Sequence, residues 1–373
     1  MKFTIERQEF AKVLSVVSRI TGSRSYGATN AGIIKLKAQN SSVVITASDI
    51  DMTIEATVPA MIEKNGISLV PGKALSDIVR VFPEEKINLV SDDDNLQLVG
   101  QRSIYDFQTY SGDDMPIRIW PSEKGVQIEV GLLRESIKQV IRAASNDEIR
   151  PVLTGVFFEE LDNNLRLVAT DSYRLALKDI VSVAPFEIGT KALVPARALN
   201  ELDRVVSNSD ESDSVWVYLS DDSARFEINN LVIWTQLINE AFPDYRSLIP
   251  TESELKLEVS KEAFLNALKR LRILVRDSVS SVRLEPQSSI LELSIISPDV
   301  GKAKESLDAL VEGEEFPVAF NPTYLIEGIE AINEESVIIE IIKSKKPTLI
   351  YGKDNTTFKY LLMPVKLNEP QRT

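Results

Sequence analysis

Three stretches of the chain carry apolar residues at positions i, i+4 and i+7: Phe10, Leu14, Val17; Leu133, Ile137, Val140; and Phe264, Leu268, Leu271. That spacing lines one face of a helix, so each stretch predicts an amphipathic helix with a single buried stripe. The copies begin 123 and 131 residues apart. A second pattern repeats beside the first. SLVPGKALSDIV, KALVPARALNELD and FPVAFNPTYLIEGI each run from an apolar segment through a Pro or Asn break into a helical pattern. Val70, Val194 and Phe320 are equivalent, at offsets of 124 and 126, and the helices that follow are expected to bury Leu75/Ile78, Leu199/Leu202 and Leu325. Two independent signals of nearly one period point to a threefold internal repeat.

After the helices come segments such as SVVITASDIDMTIEATV, LRLVATDSYRLALKDI, WVYLSDDSARFEI and TLIYGKDNTTFKYLLMPV. Their β-branched alternation, punctuated by Asp, Ser, Gly and Asn, reads as strands and turns. The expected fold is α+β: three repeated domains, each a pair of βαβββ halves with helices on one side of antiparallel sheet. RIWPSEKGVQ and SLIPTESELK are charged, Pro-containing and weakly patterned, so the boundaries are set at 1–121, 122–249 and 250–373.

One strand-like stretch is unusual. VATDSYRLA (Val168–Ala176) turns through Thr170, Asp171 and Ser172, and then places Tyr173, Arg174 and Leu175 directly after the turn. Asp and Ser suit a turn because they bond their own backbone. The aromatic, the guanidinium and the leucine are not needed for turning.

Composition narrows the chemistry. The 373 residues include no histidine and no cysteine, which removes Ser-His-Asp and Cys-His nucleophiles, ordinary zinc sites and a disulfide framework. A carboxylate-dependent hydrolase is the enzymatic reading left. Asp49/Asp51 and Glu159/Glu160 are the pairs it would use, and strand ends and turns account for them more simply. GKA at Gly72–Ala74 lacks the hydroxyl of a phosphate loop, and Ile67 stands where its first glycine belongs. The acidic run Asp92–Asp94 is not followed by a calcium-loop ligand pattern. The chain is therefore expected to be no enzyme and to need no cofactor or metal. It shows no run of about 18 apolar residues. Glu6, Arg7 and Glu9 interrupt its start where a signal peptide requires an apolar stretch. The expectation is a cytoplasmic protein without membrane contact.

Net charge is −14, which by itself disfavours a nucleic-acid partner. The distribution changes that picture. The six helical segments together carry +7, leaving −21 on the rest, and the segment 260–276 alone carries +4 while 321–332 carries −2. Lys and Arg on solvated helix faces are one explanation. A basic surface that meets DNA, with one phosphate charge per ~1.7 Å of duplex axis, is the other. The chain shows no basic reading helix and no zinc finger, so binding would be sequence-independent.

RPVLTGVFFE, VATDSYRLA, FPDYRSLIP and YLLMPVKL, in this order on the repeat, resemble the bacterial sliding clamps, the beta subunits of DNA polymerase III. The resemblance runs from MKFTIER to KL. It implies a processivity factor: a head-to-tail homodimeric ring with helices lining the inside, encircling double-stranded DNA. It also implies a pocket for short peptides of the replicative DNA polymerase, the clamp loader and repair proteins. A hub of the same fold that does not encircle DNA is the alternative.

Matched position by position, the resemblance assigns the peptide pocket to Leu153, Thr170, Ser172, Tyr173, Arg174, Leu175, Pro243, Ser247, Leu248, Asn321, Tyr324, Leu361, Met363, Pro364, Val365 and Lys366. Apolar side chains there would accept anchors, and Met adapts to varied ones. Arg174 and Tyr173 would bond peptide backbone or ends. Leu153, Leu175 and Leu361 read equally as plain core. DNA contacts are expected from Arg24, Lys73, Arg150 and Arg197. The subunit interface is expected at Arg102, Ile104, Tyr105 and Phe107 on one edge and Ile273 and Leu274 on its partner. Three stretches depart from the family pattern: SYGATNAGIIKL after Arg24, the mixed-charge PDVGKAKESLDAL, and a tail, Asn368 to Thr373, beside the pocket.

Overall fold

The computed structural model describes residues 1–20, 32–92, 94–110, 125–161, 164–181, 190–207, 209–275, 281–297, 300–343 and 346–366. Among them are six α-helices: α1 (Arg7–Val17), α2 (Gly72–Val81), α3 (Val130–Ile141), α4 (Ala196–Val206), α5 (Lys261–Arg272) and α6 (Pro322–Glu330). Each helix is preceded by one strand and followed by three. The βαβββ unit therefore occurs six times, and the strand Met61–Lys64 is an addition to the first third.

The predicted stripes are the buried ones. Phe10, Leu14, Val17, Val140, Phe264 and Leu268 are fully buried, with Leu133, Ile137 and Leu271 nearly so. α1 packs on α2 and on the strands Ser42–Ser48 and Met52–Pro59, and α5 packs on α6 and on its own sheet. In Ser42–Ser48 every second residue, Val43, Ile45 and Ala47, is buried, the period-2 signature of a sheet with one covered face. The second helix departs from expectation in one residue. Val79, not Ile78, joins Leu75 in the core. Gly72 fixes the phase: a Cβ there would lie 2.5 Å from Ile34 Cγ2, so the face of Gly72, Leu75 and Val79 turns to the sheet and Ile78 falls at its margin.

The chain divides into two compact units, Met1–Gly131 with Asn200–Leu237, and Leu132–Leu199 with Ile238–Thr373. In the first unit, a five-stranded sheet ends at the strand Ile104–Gln108. An eight-stranded sheet in the same unit pairs Leu231–Gln236 antiparallel with Met52–Pro59. In the second unit, a twelve-stranded sheet pairs Arg174–Ile180 with Asn355–Leu362, Leu175 standing opposite Leu361. Each large sheet thus joins strands from two thirds of the sequence.

In the second unit, α6 is fitted closely to the strand Asn355–Leu362. Asn321 caps its N-terminus, accepting from Thr323 N and Tyr324 N at 2.9 and 3.3 Å, and Pro322 occupies the first turn, where its missing N–H costs nothing. Tyr360 lies across the helix and donates its hydroxyl to Tyr324 O at 2.8 Å. A Cβ on Gly328 would come within 2.3 Å of the Tyr360 ring. Gly328→Ala is therefore expected to destabilise the chain by about 1–3 kcal/mol through overpacking, although alanine favours helix. Thermal unfolding of the variant checks this, and an unchanged or raised Tm contradicts the packing described.

Candidate partner-binding site

The strand pair Arg174–Ile180 and Asn355–Leu362 builds the site from its base. Leu175 and Leu361 meet across the ladder and join Val168, Leu177, Tyr245 and Leu349 in one buried cluster. Phe157, Phe242, Ile249 and Tyr351 pack against it, with Phe157 and Phe242 stacked at 4.9 Å between ring centroids. The segment FPDYRSLIP is sorted by this contact. Phe242, Tyr245 and Ile249 turn inward, leaving Pro243, Ser247 and Leu248 exposed.

The turn that follows Thr170 is locked by its own side chains. Asp171 Oδ1 accepts the backbone N–H of Tyr173 and Arg174 at 2.9 and 3.0 Å, and Thr170 Oγ1 donates to Arg174 O at 2.7 Å. Ser172 sits at φ +79°, a region that L residues rarely occupy without such support. The consequence is an exposed Tyr173, held at 61% exposure on the rim. Its backbone is tied to the C-terminal segment, since Met363 N donates to Tyr173 O at 2.9 Å and Val365 N to Ala319 O at 2.8 Å.

Several assigned side chains have roles other than those expected. Leu153, Leu175 and Leu361 are 5%, 3% and 2% exposed, so they are core and at most a floor beneath a ligand. Thr170 is buried within its turn, and the Asn321 side chain is occupied as a helix cap. Arg174 does not reach outward. Its Nε bonds Asp171 Oδ2 at 3.0 Å, its Nη1 bonds Glu327, and its guanidinium lies 4.3 Å from the centroid of the Tyr324 ring. It fixes Tyr324, which stacks with Tyr173 at 6.5 Å, rather than presenting free donors. Met363 and Pro364 are half-buried, while Leu248, Val365 and Lys366 are exposed.

Glu159 was explained from sequence as a strand end or turn, and it is neither. Its side chain is 2% exposed in mid-strand and accepts from Tyr245 Oη and Arg246 Nη2, both at 2.6 Å, with Lys191 Nζ at 3.6 Å. Burial alone pushes its carboxyl up. The bonds from Arg246 and Tyr245, with the charges of Arg246 and Lys191, outweigh that and hold it below the ordinary value of 4.5. Burial and Glu159 push the Tyr245 hydroxyl to about 12. Asp49 and Asp92 do behave as turn residues, accepting from the backbone of Asp51 and Met52, and of Asp94 and Asn95.

Of the cations assigned to DNA, Lys73 is exposed at the start of α2 and Arg197 is half-buried at the start of α4. Arg150 pairs with Asp147 at 3.3 Å and donates to Ser172 Oγ at 3.3 Å, so part of its donor set serves the turn. Arg24 lies outside the described residues, as does the tail Asn368 to Thr373. The acidic balance of α6 is explained by internal pairing. Glu327 holds Arg174, and Glu330 sits between Lys269 at 2.9 Å and Arg142 at 2.8 Å, which together keep its carboxyl below the ordinary value.

On the edge strand Ile104–Gln108, Ile104 and Tyr105 are exposed, as is Arg102 beside it, while Phe107 is buried on the covered face. Ile273 is 79% exposed just after α5, with Leu274 half-buried. A second edge went unnoticed in the sequence. In the strand Gly301–Gly313, residues 309–313 pair with residues 255–259, while residues 301–308 pair only with Ile290–Ser297 among the described residues.

Family profiles for the DNA polymerase III beta subunit match almost the whole length: the N-terminal domain over residues 1–119, the central domain over 127–244 and the C-terminal domain over 246–366. The chain belongs to the DNA polymerase III beta subunit family. It is 29% identical to the beta sliding clamp of Staphylococcus epidermidis and 28% identical to that of Staphylococcus aureus, in both cases over 98% of this chain and 99% of the relative. The DNA polymerase sliding clamp of Bacillus subtilis superposes with a TM-score of 0.93 at 26% identity, covering 98% of this chain and 99% of that one. The clamp from Bartonella birtlesii, solved bound to griselimycin, gives 0.93 at 28% identity, over 98% and 100%. A beta subunit is a processivity factor and not an enzyme. No helix among the described residues is long and apolar enough to cross a membrane.

The buried Glu159 makes a pH prediction. Because its pKa falls on folding, the unfolded chain binds more protons near and below pH 4.5. The stabilisation is complete above the ordinary carboxylate range and is lost as pH falls through the lower, folded value. Denaturant titrations from pH 7 to pH 3 should show a steeper acid loss for the unsubstituted chain than for Glu159→Gln. Parallel curves count against a charged Glu159.

Proposed function

We propose that this chain is a sliding clamp in the full sense: two copies join head to tail into a ring that encloses duplex DNA and tethers partner proteins at the Tyr173 site. In this reading residues 1–121, 122–249 and 250–373 are its three domains. The observation that carries the partner site is the contrast between floor and rim. Leu175 and Leu361 form a buried base, while Tyr173, Leu248 and Val365 stand 61%, 43% and 39% exposed above it in positions fixed by the Asp171 turn and the 242–249 segment. Apolar residues held open on an ordered frame suit a peptide that brings its own anchors. Partners of that kind are the replicative polymerase, the loader and repair proteins.

The two unpaired edges support the ring. Ile104–Gln108 in one copy and residues 301–308 in another each pair with a strand on one side only among the described residues, near exposed Ile104, Tyr105 and Ile273. Such edges are a liability unless association covers them. A head-to-tail contact is heterologous and must close on itself to give a ring rather than a filament. Lys73, Arg150, Arg197 and Arg24 are the cations proposed to face DNA. Contacts to phosphate by charges on flexible stems carry no sequence information, which suits sliding. A clamp working on DNA in this way acts in the cytoplasm.

Three experiments test the proposal. The chain should sediment at about 83 kDa as two 41.6 kDa copies, and after loading should stay on nicked circular DNA yet run off linear DNA. Arg24→Glu with Lys73→Glu should weaken retention without altering partner affinity. Equal retention on circles and linear fragments would sink encirclement. Griselimycin should bind this chain at the Tyr173 site, so Leu248→Ala or Tyr173→Ala should weaken it roughly tenfold, about 1.4 kcal/mol. Isothermal calorimetry reads this directly, and affinities equal to the unsubstituted chain would place the partner site elsewhere.

A further inference from the structure

We infer that Glu159 is a positioning residue for the partner site, setting the height of Leu248 above the Leu175–Leu361 floor. The inference rests on the proposed partner site and adds to it a residue that no ligand would touch. Glu159 lies in the strand Gly155–Leu161, under the sheet surface, and its two oxygens are shared among three groups from elsewhere in the chain. Two of the three, Tyr245 and Arg246, are consecutive. They open the 3-10 turn Arg246–Leu248 that carries the exposed rim residues Ser247 and Leu248. Within that turn, Leu248 N donates to Tyr245 O at 3.1 Å and Ile249 N to Arg246 O at 3.2 Å. The backbone that presents Leu248 is thus bonded to the two residues that Glu159 holds.

The other contacts make the attachment directional. The Tyr245 ring is buried against Leu175, Leu361 and their neighbours, and Phe242 closes on it edge to face at 6.4 Å. Arg166, bidentate to Asp179 at 2.7 and 2.9 Å, is held beside the Tyr245 hydroxyl. The Arg246 guanidinium lies 5.0 Å from the centroid of the Tyr245 ring and is half-exposed. Ring, hydroxyl and guanidinium therefore fix the 3-10 turn in depth, rotation and tilt, and Glu159 is the group common to the last two. Apolar packing alone would seat Tyr245 without defining where Leu248 points. A buried carboxylate with charge-assisted donors supplies that direction. Tyr173 is held by Asp171, and no hydrogen bond or ring contact among the described residues joins its side chain to this network.

That separation gives the test. Griselimycin binding is measured by calorimetry for the full-length chain, for Glu159→Gln, and for Tyr245→Phe, which keeps the ring and removes the hydroxyl. Each is made alone and in Leu248→Ala and Tyr173→Ala backgrounds. Glu159→Gln is expected to weaken binding roughly tenfold alone and in the Tyr173→Ala background, but by less than about twofold in the Leu248→Ala background. Tyr245→Phe should follow the same pattern at smaller size and guards against a Glu159→Gln chain that folds poorly. A general loss of structure would weaken binding in every background alike, and that outcome overturns the inference. So does unchanged affinity of Glu159→Gln when the unsubstituted chain binds. No binding by the unsubstituted chain would instead overturn the partner-site reading itself, and the positioning role with it.

Discussion

The antiparallel pairing of Arg174–Ile180 with Asn355–Leu362 is the contact on which the site depends. Five residue pairs bring strands nearly 200 positions apart into one ladder. Leu175 against Leu361 puts a dry floor at its end. On one flank it delivers the Asp171 turn with Tyr173, and on the other the segment Met363–Lys366. Without this pairing the rim residues belong to unrelated parts of the chain. With it, they need only short local bonds to be held in place.

Charge is arranged by the same economy. The acidic α6 first reads as an exception among basic helices, yet both of its carboxylates are used inside the unit, Glu327 on Arg174 and Glu330 between Lys269 and Arg142. Arg270 is likewise paired with Glu305. The exposed or half-exposed pairs of Lys269, Arg142 and Arg270 add little stability singly, while Arg174 with Glu327 is mostly buried. Glu330, Lys269 and Arg142 are already counted within the +7, and the charge Glu327 places on Arg174 outside the helices is matched by the one Glu305 takes from Arg270. These pairs therefore orient the surplus without changing its size.

Much of the fold was legible because its signals are local. Phe10/Leu14/Val17 and its two counterparts lie within two turns of helix, and the strand–break–helix pattern at Val70, Val194 and Phe320 needs no tertiary knowledge. The Asp171 turn was readable for the same reason, since an Asp followed by Ser caps its own backbone. The site was less legible wherever burial decides. Leu175 and Leu361 have the same residue type whether they line a pocket or fill a core. Arg174 finds Glu327 at a separation of 153 residues, and Glu159 finds Tyr245 and Arg246 at 86 and 87. Nothing in the local pattern announces those partners. Ile78 was misplaced against Val79 because a glycine at the head of the helix, not the apolar stripe, set its rotation.

The two large sheets each cross a linker that the sequence marks as a boundary. Leu231–Gln236 is bonded to Met52–Pro59, and Arg174–Ile180 to Asn355–Leu362. Mechanical load between neighbouring thirds of the chain is then borne sideways, by ranks of amide bonds stretched together. A seam of this kind yields only when a whole rank gives way at once, so such joints resist strain as stiff plates.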